Sequence, residues 1–203
     1  MKKILCLAFI LVFGLSAACF ASPLTNYAPG QTAVDVTFGS PGLTPSDSSK
    51  LDGDFSTGFG ITTGLGSNFA LQYKYNNFKT DEPSIGNPAL KAQEFNLLYK
   101  LTGGVSAFVG SSYANYNDNG NVNGMQFGLT GTTKIADKTN LYATLASGSK
   151  VYSGEIGVGY EIAKNTELTV GYRSAKYKGL TLDSGATGDV TVKGVTYGLG
   201  FKF

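Results

Sequence analysis

The segment FALQYKYN at residues 69–76 alternates strictly between apolar and polar side chains, with Phe69, Leu71, Tyr73 and Tyr75 on one face and Ala70, Gln72, Lys74 and Asn76 on the other. Because successive side chains of a β-strand point to opposite faces, this period of two predicts a strand with one apolar and one polar side. The closing residues TYGLGFKF at 196–203 repeat the pattern. They set Tyr197, Leu199, Phe201 and Phe203 against Thr196, Gly198, Gly200 and Lys202.

The same alternation continues along the chain, and no helical period competes with it. Ten strands are predicted, at residues 33–39, 55–65, 69–78, 91–101, 105–114, 124–135, 140–148, 151–162, 167–177 and 193–203. Short turns near residues 66–68, 102–104, 136–139 and 163–166 alternate with longer polar segments at 40–54, 79–90, 115–123 and 178–192. Short turns at one end and long loops at the other are typical of a transmembrane, antiparallel, up-and-down β-barrel. Since the first strand is short, an eight-stranded barrel is the alternative.

The first residues are predicted to be an export signal instead of part of the barrel. Lys2 and Lys3 precede an apolar run, and small residues follow up to Ala21, where we expect cleavage. The run is too short for a membrane-spanning helix, which needs about 20 apolar residues. An acylated Cys19 is the lipoprotein alternative, although the usual Leu does not precede it. The predicted domains are therefore a signal peptide at 1–21 and an outer-membrane barrel at 22–203.

Removing the signal takes both cysteines and two lysines, which leaves 14 basic against 14 acidic residues. A neutral chain without a basic stripe is not expected to bind nucleic acid. No cofactor and no metal is expected, because the paired carboxylates of Asp52 with Asp54 and of Asp81 with Glu82 lack the regular ligand spacing of a calcium loop.

The apolar face of each strand is predicted to point to lipid, because it carries no charge, and the small polar face is predicted to line the lumen. Four luminal charges are predicted to share one middle layer: Lys74, Glu94, Glu155 and Arg173. If the 79–90 loop closes a hairpin, Lys74 and Glu94 are directly opposite each other, and Glu155 and Arg173 are near-diagonal neighbours across the 163–166 turn. Lys100, Glu161, Lys202 and Asp35 are expected nearer the periplasmic rim. Two interpretations of the middle layer stay open: an ion-pair plug that stiffens the barrel, or the constriction of a narrow polar pore.

The C-terminal octapeptide resembles the β-signal by which the barrel-assembly machinery recognises bacterial outer-membrane proteins. This resemblance implies assembly roles for Gly198, Phe201 and Phe203, and it implies the assembly machinery and outer-membrane lipid or lipopolysaccharide as partners. In its pattern, the predicted mature chain resembles the small barrels of the OmpA-like, OmpX-like and OmpW-like group.

A non-enzymatic barrel in the bacterial outer membrane is the expected function, either structural or a narrow porin-like channel for small solutes or ions. The alternative is an adhesin-like barrel that binds an extracellular partner, whose identity is unknown, through its loops. A third hypothesis is an enzyme. Enzymatic barrel families of this size, such as the omptin proteases, rely on a catalytic histidine, and this chain has none. Histidine is the side chain whose ordinary pKa best suits proton transfer near neutral pH, so we do not expect an enzyme.

The assembly role of the last residue is open to test. Replacing Phe203→Ala should slow assembly more than it lowers the stability of a barrel that has already folded, because a recognition signal acts before folding. Pulse-chase assembly in cells and urea unfolding of refolded protein measure the two effects separately. Normal surface levels of the variant would argue against the signal.

Overall fold

The computed structural model describes residues 18–19 and 23–203, and their strands form a closed antiparallel barrel of ten strands, as the alternation predicts. The strands are β1 Ala18–Cys19, β2 Thr32–Gly39, β3 Gly42–Pro45, β4 Ser56–Gly66, β5 Phe69–Lys79, β6 Ala89–Thr102, β7 Val105–Tyr116, β8 Asn121–Ala136, β9 Thr139–Gly148, β10 Val151–Ala163, β11 Thr166–Thr181 and β12 Thr187–Lys202. A single 3₁₀ turn, Pro83–Ile85, is the described helical element.

The first barrel strand consists of two pieces, because β2 and β3 both pair with β12. Residues 40–41 separate them, and Pro41 has no backbone N–H to donate to a ladder. The other nine barrel strands are β4 to β12, each paired antiparallel with the next. On its other edge β2 reaches β4 through the Thr32–Thr63 pair, which completes the closure.

Most of the predicted signal peptide, residues 1–17 and 20–22, lies outside the described residues. Of that segment the structure describes only β1, which pairs antiparallel with Val36 and Thr37 of β2. No described helix is long and apolar enough to cross a membrane.

The outer hairpins are longer than the sequence predicted. The 178–192 segment was expected to be a loop, but β11 continues to Thr181 and β12 begins at Thr187. The 115–123 loop likewise shrinks to the four residues between β7 and β8. The prediction was wrong here because the Gly, Asp, Asn and Ser residues of these segments were taken to form loops. Leu180, Val190 and Val192 of this hairpin are fully buried inside the barrel, and their burial extends the ladder.

The facing of the strands follows the prediction. Large apolar side chains cover the outer surface, including Phe95, Leu97, Tyr99, Val109, Phe127, Leu145, Ile156, Val170, Tyr172, Val195 and Tyr197, all of them exposed. Polar side chains such as Thr62, Asn96 and Thr169 are buried on the inner face. An apolar exterior around a polar interior suits a barrel whose outer surroundings are hydrocarbon.

The chain before β2 enters the barrel from the end with the tight turns. Leu24 and Tyr27 are buried there, and the Tyr27 hydroxyl donates to Ser106 Oγ at 2.8 Å. The N–H of Gly66 donates to the carbonyl oxygen of Tyr27 at 2.8 Å. Gly64 permits this approach, because a Cβ at that position would collide with the backbone of residues 27–28. Residues 23–31 thus form an inner segment that occupies the periplasmic end of the lumen.

Candidate functional site

The four charges predicted to share a layer do lie together inside the barrel. Lys74 on β5 is directly opposite Glu94 on β6, as expected from the hairpin. Glu155 and Arg173, expected as near-diagonal neighbours, are in fact directly opposite each other on β10 and β11. The two pairs lie on different walls of the barrel, with the lumen between them.

Arg173 bridges the two walls. One guanidinium nitrogen, Nη2, donates to Glu94 Oε1 at 3.0 Å, while Nη1 lies 3.7 Å from Glu155 Oε2. All three side chains are less than a tenth exposed. Buried charges need such compensation, since transfer of an unpaired ion out of water costs several kcal/mol. The ring of Phe78 packs against the guanidinium, with the ring centre 5.9 Å from the guanidinium carbon.

A ladder of neutral amides extends this network around the wall. Gln126 Nε2 donates to Asn96 Oδ1 at 2.8 Å and lies 3.4 Å from Glu94 Oε2. Asn96 in turn donates to Gln72 Oε1 at 3.2 Å. The amides of β6 and β8 meet across β7 because Gly110 stands between them in register and has no side chain. These amides were not among the predicted site residues, although their position on the polar face of the strands indicates a luminal location.

Asp35 lies deeper than expected. The sequence placed it near the periplasmic rim, yet its buried side chain lines a small cavity with Lys74 and Glu155. The inner face of the neighbouring strand carries Gly60, where a Cβ would meet the Asp35 carboxylate, so the side chain has space to extend inward. The cavity holds about 20 Å³, close to the 10–15 Å³ that one water needs.

Several polar atoms of this layer make no hydrogen bond to any described residue, among them Asp35 Oδ2, Glu155 Oε1 and Gln126 Oε1. A second cavity, between Glu94, Glu155 and Arg173, holds about 10 Å³. Each of these two cavities therefore has space for about one water molecule between the walls.

Apolar layers close the lumen above and below the charges. The inner layer combines Leu24 and Tyr27 of the inner segment with Leu98 and Phe108 of the wall. The outer layer is larger; it contains Leu43, Phe78, Leu90, Ala92, Ala114, Tyr116, Val151, Ala175, Tyr177, Leu180, Leu182, Val190 and Val192. The outer layer was not predicted, because the apolar side chains of each strand were expected to face lipid along its whole length. Above the charges, apolar side chains also face inward.

The remaining predicted luminal charges do lie at the periplasmic rim. Lys202 Nζ is 3.3 Å from Glu167 Oε2, and Glu161 lines the same rim cavity of about 100 Å³. Lys100 Nζ donates to the Thr25 carbonyl at 2.8 Å, which ties the inner segment to β6. The Lys202 and Lys100 contacts thus link neighbouring strands and the inner segment at the periplasmic rim.

The C-terminal residues close the barrel on β2. Gly198 pairs with Thr37, and Phe201 pairs with Val34. Phe203 is two-thirds exposed, and its backbone exchanges two hydrogen bonds with Thr32, at 2.8 and 3.1 Å. The β-signal assigned to these residues stays a prediction.

No group of three or more His, Cys, Asp or Glu side chains within the described ranges is arranged to hold a metal ion.

An apolar exterior, a closed ladder and a polar lumen together define a membrane-spanning β-barrel. The chain belongs to the outer membrane protein β-barrel domain family, whose profile matches residues 8–203, and the protein is a bacterial outer-membrane protein. No curated protein matches it in sequence.

Solved structures share this fold at low sequence identity. The outer-membrane protease OmpT from Escherichia coli is similar with a TM-score of 0.57 at 11% identity, over 90% of this chain and 100% of that one. Neisserial surface protein A has a TM-score of 0.44 at 14% identity, covering 85% and 96%. Ail, the attachment invasion locus protein of Yersinia pestis, has 0.41 at 9% identity, covering 86% and 99%.

The role of the bridging arginine can be measured. Replacing Arg173→Met should destabilise the barrel by about 3–5 kcal/mol, because it removes the buried cation that bridges Glu94 and Glu155. Urea unfolding of protein refolded into lipid vesicles measures the change. The double variant Glu94→Gln with Arg173→Met should recover much of the loss. Equal unfolding midpoints for the single and double variants would contradict a coupled pair.

Proposed function

We propose that this protein is a non-enzymatic outer-membrane barrel with a sealed lumen, and that it serves as a structural protein of the membrane instead of a solute channel. The observation that carries the proposal is the filling of the lumen at three successive heights. Leu24 and Tyr27 occupy the periplasmic end, Arg173 bridges the walls at mid-height, and Tyr116 and Tyr177 are fully buried at the outer end.

The physical argument against conduction is the cost of passage. A hydrated ion would have to cross two apolar layers, where an isolated charge costs many kcal/mol. Between them it would have to displace the Arg173 guanidinium from Glu94. The channel hypothesis therefore requires rearrangement of the inner segment, of the ion pairs and of the outer layer together.

The contacts of the loop carboxylates Asp52, Asp54 and Glu82 support the non-enzymatic proposal. Asp54 Oδ1 accepts the N–H of Phe55 at 2.6 Å, and Glu82 Oε1 accepts the Ser84 hydroxyl at 2.7 Å. Asp52 lies 3.8 Å from Lys50 Nζ. Each is an exposed loop carboxylate occupied by a sequence neighbour, which is the usual structural use of such residues in turns.

Conductance tests the sealed lumen. Refolded protein of residues 22–203, inserted into planar bilayers, should give no discrete current steps, because its cavities at mid-height hold only single waters. Heat-modifiable gel migration verifies that the same sample is folded. Current steps whose cation preference changes in the Glu94→Gln variant would contradict the proposal and support the narrow channel.

A surface-binding role is the second candidate, favoured by the rigidity of the outer end. Loops far apart in sequence are tied together there. Ser184 donates to Asp47 at 2.6 Å, while Asn117 and Asn119 both donate to Asp183, at 2.7 and 2.9 Å. Such a cross-linked surface is pre-organised, which lowers the entropic cost of binding a partner.

Loosening those ties tests the surface-binding role. The double variant Asp47→Ala with Asp183→Ala should reduce adherence of expressing cells to host cells or matrix, because it frees the loops. Asp81→Ala, another exposed loop carboxylate, is the matched control. Unchanged adherence in the double variant at equal surface level would count against this candidate.

A further inference from the structure

A small cavity in the charged layer brings together two carboxylates from different walls of the lumen. Asp35 of β2 and Glu155 of β10 both line it, together with Lys74 of β5. The cavity holds about 20 Å³, which is the space of about one water molecule. We call it the Asp35 cavity. The structural role proposed for the barrel assigns no function to it.

Each of these two carboxylates has one buried oxygen atom that accepts no hydrogen bond from any described residue. The atoms are Asp35 Oδ2 and Glu155 Oε1. Asp35 is only 7% exposed, and the side chain of Glu155 is only 8% exposed. A buried carboxylate oxygen without a donor or a cation destabilises the folded state, so the two atoms indicate a further partner inside the cavity.

The charges of the layer are also out of balance. Asp35, Glu94 and Glu155 supply three carboxylates, whereas Lys74 and Arg173 supply two cations. Arg173 is shared between Glu94 at 3.0 Å and Glu155 at 3.7 Å, and Lys74 is directly opposite Glu94 in the ladder. One negative charge is therefore in excess among these five side chains, and a buried charge needs compensation.

The excess charge distinguishes the candidate occupants. A single water molecule could donate hydrogen bonds to both carboxylate oxygens, but it would leave the negative charge uncompensated in an interior of low dielectric constant. A divalent cation would reverse the imbalance and leave one positive charge in excess. A monovalent cation satisfies both oxygen atoms and makes the layer neutral.

The remaining wall of the cavity supplies further oxygen ligands. Thr62 Oγ1 accepts a hydrogen bond from Gln72 Nε2 at 3.1 Å, and the Oγ1 atoms of Thr130 and Thr144 are hydrogen-bonded at 2.8 Å. All four residues line the cavity. Because a hydroxyl oxygen has two lone pairs, Thr62 and Thr144 can each direct one to a cation. Carboxylate and hydroxyl oxygens are suitable ligands for a hard metal cation.

The size and the enclosure of the cavity restrict the occupant to a bare ion. Pro23 and Leu24 of the inner segment line it, and Leu24 is buried. Gly60 leaves room for the Asp35 carboxylate, since a Cβ at that position would meet its oxygen atoms. A volume of about 20 Å³ has no space for a hydration shell or for an organic ammonium ion.

We propose that the Asp35 cavity binds one small monovalent metal cation, such as Na⁺, between Asp35 and Glu155, and that this ion neutralises the charged layer. The expectation of no metal was based on the spacing of the loop carboxylates, whereas this site joins strands that are distant in sequence. The ion is a fixed constituent of the folded barrel, not a permeating one. The inference thus goes beyond the structural role proposed above.

Thermal unfolding of the refolded mature barrel, residues 22–203, in a zwitterionic detergent tests the site. Choline chloride replaces NaCl at constant ionic strength, because choline is too large for the cavity. Raising NaCl from about 1 to about 100 mM should raise the unfolding midpoint of the wild type by about 5 °C or more, since the ion binds only the folded state. Asp35→Asn and Glu155→Gln should each lose this shift. In choline alone, Asp35→Asn should unfold at a higher temperature than the wild type, because the excess charge is gone.

The matched control is Glu161→Gln, which removes a carboxylate at the periplasmic rim and should keep the full sodium shift. Heat-modifiable gel migration verifies that every variant is folded. Equal midpoints of the wild type in sodium and choline, an unchanged shift in Asp35→Asn, or a lost shift in the control would overturn the proposal.

Two further outcomes would also overturn it. A wild-type midpoint that responds to pH but not to sodium would assign the compensating charge to a proton. A shift produced by CaCl₂ and not by NaCl would exclude a monovalent ion. Current steps in planar bilayers would contradict the sealed lumen without changing the sodium shift, so the two proposals can fail separately.

Discussion

Closure of the backbone ladder is the constraint on which the rest of this structure depends. In hydrocarbon, an unpaired N–H or C=O costs several kcal/mol, so a sheet in a membrane cannot keep a free edge. Here β12 pairs with both β2 and β3, and β2 reaches β4, so the first and last strands meet. The final residue takes part, since Phe203 exchanges backbone hydrogen bonds with Thr32.

Closure also determines what the interior must contain. Ten strands enclose a lumen too wide for glycine and threonine alone to fill, and the barrel fills it differently at each height. The charged layer at mid-height pairs Arg173 with Glu94 and Glu155, and the neutral amides of Gln126 and Asn96 extend the hydrogen-bond network from Glu94. Apolar layers lie above and below these pairs, and the low local dielectric strengthens each electrostatic contact and makes its loss more costly.

At each height along the barrel, the outer surface has the opposite polarity to the interior. Where the interior is polar, the exterior is apolar because it faces lipid. Where the outer layer packs Leu180 and Val192 inside, the exterior turns charged, with Lys176 and Asp189 paired on the surface. This crossover marks the height at which the barrel leaves the hydrocarbon.

Much of the fold was determined by the sequence alone, because period-two alternation is a local property that each strand carries by itself. It predicted ten strands, their facing and the opposition of Lys74 to Glu94, since a hairpin transmits register over a short turn. It could not predict that Arg173 crosses the lumen to Glu94, 79 residues away, or that Asp35 lies at mid-height. Nor could it predict the inner segment, because Leu24 and Tyr27 belong to no periodic pattern. Those features depend on which walls face each other once the ladder closes, and only the tertiary structure decides that.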